Sequence, residues 1–179
     1  MSDSPIDPLK SVKSGDDLLS RIRNSLAGFV GYADRDQRRE ADRLLRESIA
    51  STYEAQWERI SAIQRELIAS KRLDLVDDLE AAAIKLRAFI DRIRHASYGY
   101  AGFFDHVHID SKELAEIYNY DVALLENVDE LGRAIDNVEA SLGSEGEAAA
   151  IRHLTTLCQD AVDAFDRRND IILARGDEA

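Results

Sequence analysis

The sequence predicts an all-α protein, an antiparallel up-and-down four-helix bundle with an additional N-terminal amphipathic helix. Three observations carry that expectation. Both prolines of the 179-residue chain, Pro5 and Pro8, fall at its start, so nothing beyond them carries the residue most hostile to a helix interior. Apolar residues recur in steps of three and four along extended stretches. Short turn signals separate those stretches, and connections of about two to five residues leave no room to cross a bundle.

Residues 1–15 read as a flexible leader, 16–176 as one helical-bundle domain and 177–179 as a tail. The first helix is expected from Asp16 to Val30, with Leu18, Leu19, Ile22, Leu26, Phe29 and Val30 on one face and Gly31 as the break. Asp34 with Gln37 offers a capping pair for a second helix lasting to Ser70, with the stripe Leu45, Ile49, Thr52, Gln56, Ile60, Ile63 and Leu67. After a tight turn at Lys71 and Arg72, a third helix runs to Ser97 with Leu79, Ala82, Leu86, Ile90 and Ile93 inward. Asp110 with Glu113 opens a fourth, ending at Gly143, where glycine suits the left-handed residue past a helix end. Ser144 with Glu147 opens a fifth, ending before Gly176.

Composition narrows the function. With 45% apolar and 32% charged residues the chain suits a folded soluble domain. Its net charge of -12 repels phosphate backbones, which disfavours nucleic acid as a partner. No apolar run is long enough to span a bilayer and the polar N-terminus lacks a secretory signal, so a cytoplasmic location is expected. The single cysteine, Cys158, agrees with a reducing compartment.

Two stripes contain a charge. The fourth helix has Leu114, Ile117, Asp121, Leu124, Val128, Leu131, Ile135, Val138 and Leu142; the fifth has Ile151, Leu154, Cys158, Ala161, Phe165, Arg168 and Ile172. Folding back at residues 143–145 makes facing positions sum to roughly 288, which sets Asp121 opposite Arg168. Following the turns back brings Leu86 and Gln56 to the same height, so a buried polar layer of Gln56, Asp121 and Arg168 is expected to fix helix register. A catalytic carboxylate or internal ligand site is the functional alternative. A rotated fourth helix, with Tyr118, Val122 and Leu125 inward and Asp121 wet, is the other.

No enzyme chemistry emerges. A di-metal bundle would need Glu-x-x-His motifs, and none precedes His95, His106, His108 or His153. Asp105, His106, His108 and Asp110 form only a weak metal-ligand pattern, and no cofactor is expected. Gly99 and Gly102 lack the Lys-Ser or Lys-Thr of a phosphate loop, and Cys158 sits in an apolar stripe where a thiol behaves as a small hydrophobe.

The stretch SYGYAGFFDHVHID at 97–110 is the one crowding of aromatics and glycine. The register sets it beside the start of the second helix, RDQRREADRLLR, whose arginines are Arg35, Arg38, Arg39, Arg43 and Arg46. With Arg92, Arg94, His95, Tyr98, Tyr100, Phe103 and Phe104 they would form an arginine and aromatic pole suited to a protein partner or self-association. The aromatics could equally close the core, and the arginines pair with Asp36, Glu40, Asp42 and Glu47. The first helix could dock on the bundle, pair with another copy or lie on a membrane surface through Arg21 and Arg23, although net acidity disfavours anionic lipid.

Overall fold

Steps of three and four put each apolar stripe on one side of a helix, and burying those stripes draws the helices together. The computed structural model describes residues 15–26, 29, 31, 38–96 and 111–176, and among these all regular structure is helical. Five helices pack against one another: α1 (Gly15–Ser25), α2 (Arg38–Ala69), α3 (Leu73–His95), α4 (Ser111–Ser141) and α5 (Glu147–Gly176). No helix among the described residues is long and apolar enough to cross a membrane.

Side-chain partners give the helix directions. From α2 to α3 the pairs Arg46 with Ile93, Tyr53 with Phe89 and Gln64 with Glu80 rise on one helix as they fall on the other. The same holds from α4 to α5, where Asp121 meets Arg168 and Asn127 meets Leu157. Both hairpins are therefore antiparallel. Between the hairpins the numbers rise together: Arg72, Lys85 and Arg92 meet Glu147, Gln159 and Asp166 across α3 and α5. Tyr53 and Arg59 likewise meet Leu124 and Gly132 across α2 and α4. The two hairpins thus lie side by side, with α2 on α4 and α3 on α5 as parallel neighbours.

The stripes of α3 and α5 are buried throughout, and so is that of α4 from Ile117 to Val138. In α4 the inward arc is wider than one stripe, because Tyr118 and Val122 are buried beside Asp121. In α2 the expected stripe needs correction: Thr52 is exposed and Gln56 half-buried, while Tyr53 is fully buried. Tyr53 packs on Phe89, which itself stacks edge-on against Phe165. Thr52 turns its hydroxyl to Ile49 O at 2.8 Å, where it needs no burial.

Helix α1 ends at Ser25, short of the expected Val30, because the chain turns there. Phe29 N–H bonds Leu26 O, and Arg23 Nε reaches over to Phe29 O at 3.2 Å. Gly31 takes φ +91°, and a Cβ there would lie 2.8 Å from the Tyr118 hydroxyl. Ile22 and Phe29 are buried, Leu19 packs beside them, α1 lies on α4, and Arg21 ion-pairs with Glu126. Among the described side chains of α1, Leu19 and Ile22 are spent on the rest of the protein.

The helix ends show how the turns are made. After α2, Arg72 N–H bonds Leu67 O and Lys71 N–H bonds Ile68 O, the paired bonds of a Schellman motif with Lys71 at the left-handed position, φ 61°. After α4 that position is Gly143, at φ +79°. There Glu147 reaches back to Gly143 N–H at 2.8 Å, while the Ser144 hydroxyl accepts from Gly146 N–H. Helix α5 therefore starts at Glu147 rather than at Ser144. The bond from Gly143, more than the neighbouring Arg72, holds the Glu147 carboxyl below its usual value. Lys71 bears a Cβ where glycine would not, so Lys71→Gly is expected to stabilise the protein by about 0.5–1 kcal/mol in urea unfolding.

Candidate functional site

Four charged side chains are buried together near one end of the hairpins. Asp42 and Arg46 lie one turn apart on α2, on the side that also carries Leu45 and Ile49, and Arg46 Nε donates to Asp42 Oδ2 at 2.7 Å. Arg168 of α5 donates through Nε to Asp121 Oδ1 of α4 at 2.6 Å and through Nη2 to Asp42 Oδ1 at 2.7 Å. Arg46 Nη1 then donates to Ile93 O at 3.0 Å, near the end of α3, where a cation also suits the helix dipole. All four residues are at most 4% exposed. Helices α2, α3, α4 and α5 are joined through this one constellation, and its two carboxylates balance its two guanidinium groups.

The sequence-derived polar layer is partly assembled here. Asp121 and Arg168 meet; Gln56 does not join them. Its side chain lies beside Gly132, and its Oε1 accepts from Arg59 Nη1 at 3.3 Å. The cluster takes Asp42 and Arg46 in its place, because α2 runs parallel to α4 with its first two turns at the height of Asp121. Nor does Leu86 stand at that height: Ile93 does, about two turns further along α3. The only trace in the sequence is the Asp-x-x-x-Arg spacing bracketing Leu45.

A second buried polar group lies further into the core. The Tyr53 hydroxyl is shared between Leu124 O at 2.9 Å and Asn127 Oδ1 at 2.8 Å, and Asn127 Nδ2 donates to Leu157 O. Burial pushes the Tyr53 hydroxyl well above its ordinary range, so it stays a neutral donor.

The predicted pole is described only in part. Arg35, Tyr98, Tyr100, Phe103 and Phe104 lie outside the described residues, as do Asp105, His106, His108 and Asp110 and the side chain of Arg38. Arg39 and Arg43 are exposed on α2. Arg43 grips Glu40 with two bonds of 2.6 and 3.0 Å, and the bonds hold that carboxyl below its ordinary value. Arg94 donates to Glu54 at 2.5 Å and also faces Glu47. Arg92 pairs with Asp166, and His95 Nδ1 lies 2.6 Å from Asp91 O, which makes it the protonated nitrogen. The arginine charge expected at this end is thus offset locally at Arg43, Arg46, Arg92 and Arg94. An unforeseen feature is Leu44, which stands 44% exposed between Arg43 and the buried Leu45.

Among the described residues no group of three His, Cys, Asp or Glu side chains converges as a metal site. Cys158 is fully buried, and desolvation pushes its thiol up to about 12. It is expected to resist alkylation at neutral pH in the folded protein and to react only on unfolding, as a mass-spectrometric time course with iodoacetamide would record. Arg168→Met is expected to cost about 3–5 kcal/mol in chemical unfolding by stranding Asp121. Adding Asp121→Leu should recover part of that loss, because Asp42 keeps Arg46.

In comparisons with known proteins, no family model, no curated protein and no solved structure matches the chain.

Proposed function

We propose that the chain is a four-helix bundle of two antiparallel hairpins packed side by side, with α1 added on α4, that acts as a non-enzymatic protein-binding module. Its contact surface is the pole where α2 begins and α3 ends. The observation that carries this reading is Leu44, a large apolar side chain in water beside the exposed Arg43–Glu40 pair, on the side of α2 away from the buried ionic cluster. An exposed apolar anchor beside an arginine already held in an ion pair suits an interface centre. The cluster supports the reading from beneath: it holds α2 to the end of α3, so the surface loses little conformational freedom when a partner arrives. Arg43 bound to Glu40 presents a pre-set charge pair rather than a net positive field, which favours a mixed-charge protein surface over a phosphate polymer.

A membrane-surface role for α1 would need its apolar face, which Ile22 and Leu19 spend on the packing against α4. The pole reading is tested by affinity capture from the native cell with Leu44→Glu and Arg43→Glu, each checked for helicity by circular dichroism. Loss of about tenfold or more of specific partners is expected. An unchanged set of captured proteins would remove the proposal.

A further inference from the structure

The outer side of the α2–α3 hairpin carries apolar surface that none of the described helices covers. Trp57, Ser61 and Ile68 of α2 and Val76 and Glu80 of α3 line an open groove of about 620 Å³. All four large hydrophobic residues exposed among the described residues belong to this hairpin, and three of them lie away from the pole: Ile68 at 54%, Leu73 at 61% and Ile84 at 59%. Leu73, Val76, Glu80, Ile84 and Arg87 follow one another in steps of three and four, so they share the outward side of α3.

Charges on this face are ordered. Arg87 sits over the Trp57 ring, 5.3 Å from its centre, which puts it at the height of Glu58, and it also pairs with Glu54 and Asp91 of its own chain. Gln64 donates to Glu80 at 2.5 Å, which puts Glu80 at the height of Arg65. From Glu58 to Arg65, α2 therefore shows acid then base where α3, from Arg87 to Glu80, shows base then acid.

We propose that this face is the interface of a homodimer whose two-fold axis runs parallel to the helices. Such an axis lays each α2 across the other copy's α3 at unchanged height. Glu58 then meets Arg87 of the second copy, Arg65 meets Glu80 of the second copy, and Ile68 meets Val76 of the second copy, each contact occurring twice. An unrelated partner would have to supply that charge order, whereas a second copy has it already. The size fits as well. A hairpin face as long as α3, roughly 34 Å, and about 20 Å wide presents nearly the ~800 Å² per partner of a standard stable interface. This surface is separate from the pole and does not depend on it.

The sole tryptophan of the chain, Trp57, stands in the face and reports on it. Light scattering after size exclusion is expected to give about twice the 20.0 kDa of one chain at tens of micromolar, with Trp57 emission moving to the red on dilution. Arg65→Glu and Glu80→Arg should each weaken the dimer by about tenfold or more, and the two combined should restore it. Ile84→Glu should weaken it, and Leu44→Glu at the pole should not. Circular dichroism establishes that each variant is folded. A mass of one chain at every concentration would overturn the proposal. So would a dimer indifferent to Arg65→Glu and Ile84→Glu, or one dissolved by Leu44→Glu instead.

Discussion

The carboxylate of Asp42 accepts from two arginines, one on each oxygen: Arg46 from its own helix and Arg168 from α5. Arg168 continues to Asp121 on α4, and Arg46 continues to the backbone near the end of α3. Leucine and isoleucine stripes bury well at many longitudinal offsets, since one apolar contact resembles the next. A dry charge does not slide so freely, because moving it by a turn would leave it unpaired at a cost of several kcal/mol. The relative heights of the four long helices, and with them the end of α3 beside the start of α2, follow from that constraint. Whether the cluster adds net stability matters less, as desolvation roughly offsets attraction in such pairs.

Around the cluster the chain separates two kinds of polar contact. Inside, Tyr53 and Asn127 satisfy each other and the backbone of α4 and α5. Outside, Arg92 with Asp166, Arg72 with Glu147 and Arg59 with Asp136 tie parallel neighbours together across their rims. The rim pairs are solvated and individually weak, so they contribute more to orientation than to free energy. The apolar remainder on the α2–α3 hairpin lies outside both sets.

Much of the fold was legible because its signals are local. Periodicity marked the inward sides of α3, α4 and α5, and Gly143 marked the turn between the last two helices. The pairing of Asp121 with Arg168 could be counted from that turn alone, since a short hairpin fixes what faces what. Counting failed where the chain is not a short hairpin. Residues 97–110 join α3 to α4, and treating the two helices as ending level put Leu86 and Gln56 where Ile93 and Asp42 stand. The exposure of Leu44 beside the buried Leu45 was hidden for a related reason: either leucine fits an apolar stripe, and only the angular position set by Arg46 and Asp42 decides between them. Thr52 and Tyr53 were exchanged in the same way, one residue of rotation apart.

Because a single carboxylate serves two cations, the members of the cluster are not independent letters of the sequence. Substituting one leaves the rest mismatched, so descent with modification would tend to keep the quartet or replace it wholesale with hydrocarbon. Asp-x-x-x-Arg near the head of a long amphipathic segment, one aspartate inside the apolar stripe two segments on and one arginine inside the apolar stripe of the segment after that make a spaced fingerprint. Its ancestry could be traced through that fingerprint even where overall resemblance has faded.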